Sequence, residues 1–152
     1  MLTRAGTIAL RALVELARNP GASLSVNELA RRQGLPQPML EQVVLRLRRA
    51  GLVQARRGRQ GGYRLAAQAD ALPLEQVLLA VGGLRRGAGD PEPPAAAAGL
   101  EASAGMQVER QLQRRLDRLV LQELQRLTLA ELLYDQRSWE ASLDPEGGLM
   151  LG

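Results

Sequence analysis

The chain contains neither cysteine nor histidine among its 152 residues. Without cysteine it has no disulfides and no thiolate metal sites, and without histidine it lacks zinc-finger ligands and the commonest general base. A phosphate-binding loop ending in Gly-Lys-Ser or Gly-Lys-Thr is also missing, because the sequence has no lysine. Ser25 and Thr128 therefore have no base to activate them as nucleophiles, and we predict that the protein is not an enzyme.

Long apolar segments are missing as well. The sequence has no run of about 18 uncharged apolar residues, the length that a membrane-spanning helix requires. Its first residues also lack the apolar core and cleavage site of a secretion signal. We expect a soluble, cytoplasmic protein that has no membrane partner.

Acidic residues are scarce in the first half of the chain. Residues 1–66 contain 12 arginines and 3 acidic residues, for a net charge of +9. Residues 67–152 contain 8 arginines and 13 acidic residues, for a net charge of −5. The N-terminal half is therefore the candidate for binding a polyanion.

Three helices are predicted in this basic half. The first spans 3–18, where apolar residues recur at helical spacing until Asn19-Pro20-Gly21 ends the pattern. The second begins after a Ser25-Val26-Asn27-Glu28 capping box and ends at Gly34. The third spans 40–50 and directs one apolar stripe inward. That stripe consists of Leu40, Val43, Val44, Leu47 and Ala50.

A short hairpin follows the third helix. Strands over 52–56 and 62–66 flank a glycine-rich turn that carries several arginines. Glycine tolerates the positive φ of a tight tip and adds no side chain that would keep the tip away from a phosphate backbone. The order of helix, strand, basic turn and strand predicts a winged helix-turn-helix. A further helix over 74–81 is expected to pack back onto it.

The second half of the chain differs in composition. Within residues 82–105, Gly, Ala and Pro account for 16 of 24 residues, which is typical of a flexible linker. A long amphipathic helix is predicted over 106–126. A capping box at 128–131 then begins a shorter helix that ends at Tyr134.

The predicted fold class is mainly α with a small β-hairpin wing. It comprises a winged helix-turn-helix DNA-binding domain over 1–81, a flexible linker over 82–105, dimerisation helices over 106–134 and a tail over 135–152. The stripe of the long helix is either the core of a monomer or the seam of a homodimer, and the dimer is favoured because a lone helix would expose it. The stripe consists of Val108, Leu112, Leu116, Leu119, Val120 and Leu124.

The candidate DNA contacts come from the third helix and the wing. Arginines there would supply sequence-independent phosphate contacts, although a solvated arginine face is the simpler interpretation of the helix alone. Glutamine can read adenine and glutamate can accept from cytosine, but Glu41 could equally hold a neighbouring arginine. The candidates are Gln37, Met39, Glu41, Gln42, Arg46, Arg49, Arg56, Arg57, Gly58, Arg59 and Gln60.

Several segments resemble the Rrf-two (Rrf2) family of winged helix-turn-helix transcriptional regulators, of the iron–sulfur cluster regulator (IscR) type. The similar segments follow one another in the family's order over residues 1–81 and 106–134. They are LT (2–3) with ALRAL (9–13), ELARRQG (28–34), LEQ (40–42), LRRAGLV (47–53), RG (57–58), GGYRL (61–65) and LTLAEL (127–132).

The resemblance implies a homodimer that is held by the long C-terminal helix, which crosses toward the partner's DNA-binding domain. It implies that the third helix enters the major groove and that the wing lies along the minor groove. Glu41 and Gln42 fall at base-contacting positions of the family. Arg57 and Gly58 fall on its wing contact, and Arg59 fills a site that is often proline.

Two segments depart from the family pattern. Residues 36–39 (PQPM) replace a stretch that is often serine-rich and aromatic, so the family's operator sequence does not carry over. Cluster-binding members place three cysteines and a further ligand in the segment that corresponds to 84–110, and this chain has no cysteine or histidine there. We therefore expect no iron–sulfur cluster and no other cofactor.

Three functions are compatible with these patterns. The first is a sequence-specific dimeric regulator that represses transcription by occupying a promoter. The second is an architectural DNA-binding protein of low sequence specificity, and the third is a regulator that acts mainly by binding a protein partner through its acidic half. A small-molecule effector is a further candidate ligand, and Tyr134 and Trp139 either line its pocket or simply pack.

Overall fold

The computed structural model describes residues 1–59, 61–85 and 99–144. It confirms the prediction of a mainly helical chain with a small antiparallel β-hairpin. In chain order the elements are α1 (Arg4–Arg18), α2 (Val26–Gln33), α3 (Gln37–Arg49), β1 (Val53–Arg56), β2 (Gly62–Leu65), a 3-10 turn (Ala69–Ala71), α4 (Leu74–Val81), α5 (Leu100–Arg126) and α6 (Leu129–Leu143).

The core is built around α1, which contacts α2, α3, α4 and α6. Its own apolar residues, among them Leu13, are buried. The predicted stripe of α3 is buried from Leu40 to Leu47, whereas Ala50, just past the helix end, is exposed. The expectation that residues 74–81 pack back onto the domain is confirmed, since α4 contacts α1 and α3 and buries Val77 and Val81.

The caps of α1 and α2 follow from the local sequence. Thr3 and Ser25 each accept a hydrogen bond of 3.1 Å from the N–H group three residues later. The second half of the capping box predicted at Ser25 is not formed, because the carboxylate of Glu28 pairs with Arg32 at 3.5 Å. Gly34 ends α2 in the left-handed region, with a φ of 59°.

The third helix begins at Gln37 and not at residue 40. Pro36 is its N-cap and Pro38 lies in its first turn. Proline is tolerated at such positions because N–H groups of the first turn have no intrahelical acceptor. The two prolines therefore start the helix, where the sequence pattern had suggested a turn.

The boundaries predicted for the second half are wrong at several points. α5 begins at Leu100, inside the predicted linker 82–105. Residues 82–85 are bonded to the N-terminus, since Thr3 N–H donates to Gly83 at 2.9 Å and Arg85 N–H donates to Met1 at 2.7 Å. The remaining linker residues, 86–98, lie outside the described residues.

The last helix also extends beyond its predicted end at Tyr134. The Thr128 capping box is confirmed, but α6 continues to Leu143 because no glycine or proline interrupts it. The predicted tail, 135–152, is therefore helical over 135–143, and residues 145–152 lie outside the described part of the chain.

The junction between α5 and α6 joins the same core. Leu74 N–H donates to the carbonyl of Leu127 and Leu129 N–H donates to the carbonyl of Leu72, both at 2.9 Å. Leu129 is fully buried, and α6 packs across α1. Among the described residues, no helix has the length and apolar character that would let it cross a membrane.

Candidate nucleic-acid interface

The exposed face of α3 lies opposite its buried stripe. Gln42 and Arg49 are about two turns apart and therefore share one side of this face, and Glu41 and Arg48 share the adjacent side. The side chains of Gln42 and Arg49 have no partner among the described residues. A glutamine and an arginine on one side of a helix can contact a base edge and a phosphate group together.

The first turn of α3 is open to an anion. Pro36 provides no side-chain cap and Pro38 has no N–H group, so the N–H groups of Gln37 and Met39 lack a side-chain acceptor. Uncapped N–H groups at the positive end of a helix dipole favour a phosphate group. The Met39 side chain is half-buried against the core, which leaves only part of it available for a DNA contact.

Three of the predicted DNA contacts, Gln37, Glu41 and Arg46, have side-chain hydrogen bonds within the chain. The guanidinium of Arg46 donates to the carbonyl of Val81 at 3.1 Å, at the negative end of α4. The carboxylate of Glu41 accepts from the Gln37 side chain at 3.3 Å, and no described arginine forms an ion pair with it. Arg46 therefore ties α3 to α4, and Glu41 is held by a neutral neighbour within the first turns of its own helix.

The wing is a two-stranded hairpin with a third backbone segment at its edge. β1 pairs with β2 from Val53↔Leu65 to Arg56↔Gly62. Tyr63 also exchanges two hydrogen bonds, of 2.8 and 2.9 Å, with Leu24, which precedes α2. A Cβ atom on Gly62 would lie 2.5 Å from the backbone of Leu24, so this glycine is required by the wing's own packing.

The tip of the wing needs glycine for backbone reasons as well. Gly58 has a φ of 115°, and Gly61 N–H closes the turn on the Gly58 carbonyl at 2.9 Å. Arg56, Arg57 and Arg59 are exposed around this turn and form no ion pair with a described carboxylate. Gln60, the last predicted wing contact, lies outside the described residues.

A cleft of about 460 Å³ separates the wing from the start of α2. The hydroxyl oxygen of Ser23 is buried there and has no hydrogen-bond partner among the described residues, which is uncommon for a buried polar atom. Two arginines, Arg56 and Arg59, line the same cleft. Ser23 is not among the contacts predicted from the sequence, where its only signal is its position just before α2. The cleft is lined in part by Ser23, Ser25, Glu28, Arg56, Arg59 and Gly61.

A buried carboxylate supports the turn between α2 and α3. Glu15 is only 5% exposed, and its carboxylate accepts from Gln33 at 2.7 Å and from Arg32 at 3.3 Å. Arg18, which lies 3.9 Å from Glu15, also pairs with Glu140 of α6. This network connects α6 through α1 to the end of α2.

The Glu140 carboxylate has several partners on the surface. The hydrogen bond from the Gln136 side chain, at 3.0 Å, and the pairing with Arg18 lower the pKa of Glu140 below its ordinary value. The ionised Glu140 carboxylate therefore stabilises the contact between α6 and α1 fully at pH values above the ordinary pKa of a glutamate. This stabilisation is lost as the pH falls through the lowered pKa of Glu140.

The stripe predicted as a dimer seam is divided between two environments. Leu124 packs against the core of its own chain, and Val120 is half-buried near the N-terminus. The other four residues have exposed fractions between 45% and 67%, and they lie within an arc of about 80° on α5. We call these four the α5 strip: Val108, Leu112, Leu116 and Leu119.

A helix-turn-helix with an uncapped, arginine-bearing third helix and a basic two-stranded wing defines the chain as a DNA-binding transcriptional regulator of the winged helix class. The profile of the Rrf2 family, described as "Iron-dependent Transcriptional regulator", matches residues 2–135. The chain belongs to this family.

Relatives of known sequence agree with this assignment. The HTH-type transcriptional regulator slr0846 of Synechocystis sp. is 37% identical over 142 residues, which are 93% of this chain and 92% of that protein. The HTH-type transcriptional regulator IscR of Cereibacter sphaeroides is 41% identical over 83 residues, which are 53% of this chain and 54% of IscR.

Solved structures show the same architecture. IscR of T. potens has a TM-score of 0.69 and 28% identity, and the similarity covers 90% of this chain and 88% of that one. CymR (YrzC), named as the global cysteine regulator of B. subtilis, has a TM-score of 0.67 and 27% identity over 88% of this chain and 96% of CymR.

Proposed function

We propose that this regulator is a homodimer that recognises a specific DNA sequence and represses transcription by occupying a promoter. In this proposal α3 enters the major groove and the wing follows the adjacent backbone and minor groove. The observation that carries it is the free face of α3, where the side chains of Gln42 and Arg49 have no partner, followed by three exposed wing arginines.

Dimerisation is supported by the α5 strip. An arc of four exposed apolar residues on one helix is a large apolar surface for a soluble protein, and two-fold pairing with a second copy buries the same strip in both chains. A two-fold dimer fits a pseudo-palindromic operator, with half-sites about one helical turn or slightly more apart.

Selection of bound sequences from random DNA with the purified protein tests this function. A pseudo-palindromic consensus is expected, and specific fragments should outcompete bulk DNA. Binding of all sequences alike would instead indicate an architectural protein. Capture of a protein by residues 82–152, together with weak DNA binding, would indicate a regulator that acts through a protein partner.

Substitutions on α3 and in the wing test the roles of individual side chains. Gln42→Ala should relax the preference at one base position, at a cost of about 1–3 kcal/mol if the contact is bidentate. Arg57→Ala in the wing should weaken binding to most sequences alike. Arg46→Ala should leave base preference unchanged and lower stability, because Arg46 bonds to Val81.

Ser23 offers a test of the cleft beside the wing. We infer that a backbone phosphate of the operator occupies this cleft, because two arginines line it and the Ser23 hydroxyl lacks a partner. Ser23→Ala should weaken binding to all sequences and leave protein stability unchanged. An unaltered affinity for DNA would show that Ser23 is not part of the interface.

Iron dependence through an iron–sulfur cluster does not fit the donors of this chain, although its family is described as iron-dependent. Iron–sulfur clusters are held by cysteine thiolates, sometimes with histidine, and the sequence has neither residue. Carboxylates such as Glu101 are hard oxygen donors that do not replace a set of sulfur ligands. We infer that DNA binding is independent of a cluster. Anaerobic purification should give a colourless protein that binds its operator, whereas stoichiometric iron and sulfide would contradict this inference.

A further inference from the structure

α6 crosses α1 and leaves a cleft on each of its sides. The α2-side cleft, of about 520 Å³, lies between α6 and the ends of α1 and α2. The wing-side cleft, of about 630 Å³, lies between α6, the end of α1 and the chain that leaves the wing. Both volumes fall in the range of small-molecule sites, roughly 300–1,000 Å³.

The polar groups of the α2-side cleft are largely paired with one another. Arg18 pairs with Glu140, Arg32 pairs with Glu15, and Gln136 donates to Glu140. Trp139 lines this cleft, whereas Tyr134 lines neither cleft and is exposed. A ligand here would have to break existing ion pairs.

The wing-side cleft has a different character, because most of its lining is apolar. Leu16 and Ala17 of α1 are buried beneath it, and Leu65 of β2 and Leu133 of α6 contribute half-buried side chains. Small residues widen it along the chain that follows β2. These include Ala66, Ala67 and Ala69.

The charges around this apolar lining do not balance. The described charged residues that line the cleft are Arg64, Arg137 and Asp70, for a net charge of +1. Arg64 donates to the neutral Gln54 at 3.4 Å, and neither arginine lies within ion-pair distance of a described carboxylate, although Arg137 interacts electrostatically with Glu140, one turn farther along α6. Arg137 therefore offers a guanidinium that can bind a carboxylate through two hydrogen bonds.

We propose that the wing-side cleft binds a small amphipathic monocarboxylate, with its carboxylate on Arg137 and its apolar body against Leu16, Leu65 and Leu133. A single anionic group matches the net charge of the lining, and an apolar body matches the floor. An occupant would touch both β2 and α6, so it would connect the wing to the C-terminal helices. This site does not depend on the proposed DNA-binding function, and its test involves no DNA.

Calorimetric titration of the full-length protein with octanoate tests the proposal, with octan-1-ol and octylamine as probes of equal chain length. Octanoate should bind saturably with one site per chain, and the alcohol and the amine should bind at least about tenfold more weakly. Arg137→Gln should reduce the affinity for octanoate about tenfold. Arg115→Gln, at an exposed arginine of α5 outside the cleft, should leave it unchanged.

Ala67→Trp provides a second variant, because Ala67 is exposed and lines the cleft without belonging to the core. This variant should lose octanoate binding while its circular dichroism spectrum remains that of the folded protein. The proposal is overturned if octanoate does not saturate, if octan-1-ol binds equally well, or if folded Arg137→Gln and Ala67→Trp proteins bind octanoate like the unmodified chain.

Discussion

α3 and α5 are both amphipathic helices, but only α3 finds a complete partner within its own chain. The apolar stripe of α3 is buried against α1, and its free face is polar and basic. α5 buries only the side that carries Leu124, and it leaves the α5 strip exposed. The same helical periodicity therefore closes a domain in one case and leaves an apolar surface exposed in the other.

Charge separates the same two regions. The half of the chain that contains α3 and the wing has a net charge of +9, and the half that contains α5 has a net charge of −5. We therefore propose that the first region binds phosphate groups and that the second associates with another copy of the chain.

The largest expected effect is the salt dependence of DNA binding. With roughly 6–10 phosphate contacts from the basic half, affinity should fall on the order of 10³ to 10⁵ between about 50 and 200 mM salt. Arg57→Ala should remove about one phosphate contact and so reduce the slope of log affinity against log salt concentration by about 1. Titrations at several salt concentrations measure this slope. A slope near zero would show that neither the wing nor α3 contacts the phosphate backbone.

Core substitution separates the two faces of α3. Leu47→Ala should reduce the free energy of unfolding by about 2–5 kcal/mol, because Leu47 is fully buried. Leu45→Ala, at a leucine of the same helix that is 38% exposed, should change it by less than about 1 kcal/mol. Urea unfolding measures both, and equal losses would contradict the orientation of α3.

Charge in the α5 strip tests whether it is a seam between copies. Leu116→Arg should raise the dimer dissociation constant at least about a hundredfold, since each of two copies loses roughly 1.5 kcal/mol of apolar burial. Gln111→Arg adds the same charge on another side of α5 and should leave the dimer intact. Sedimentation velocity distinguishes the two, and an undiminished Leu116→Arg dimer would refute the seam.

Removal of the buried Glu15 carboxylate of α1 should have a smaller effect on the free energy of unfolding. Glu15→Ala should cost about 1–3 kcal/mol of stability, because it removes the acceptor of the buried Gln33 amide bond and one of the two carboxylates that pair with Arg32. Glu109→Ala, at an exposed glutamate of α5, should cost less than about 0.5 kcal/mol. Thermal unfolding of both variants checks this, and an unchanged midpoint for Glu15→Ala would show that the network contributes nothing.

Local signals made the helix-turn-helix and the wing predictable. Helix ends depend on residues that are close together in sequence. Thr3 and Ser25 cap the N–H groups of α1 and α2, and Gly34 ends α2 in the left-handed region. Only one orientation of α3 buries its apolar stripe, and a basic glycine-rich turn between two short strands commonly forms a β-hairpin. For the candidate site, this was enough to single out Gln42, Arg49 and the wing arginines.

Contacts between distant segments decided the rest. The sequence determined that the chain is helical with a basic hairpin and that it has no thiolate or imidazole donor, because these are properties of residue type and spacing. Only the tertiary structure divided the α5 stripe between its own core and solvent, joined Arg46 to Val81, and placed Gly62 against Leu24. It also extended α6 across α1, creating the clefts on its two sides. In each case the partner lies far along the chain, and burial depends on which surfaces meet, which periodicity alone does not specify.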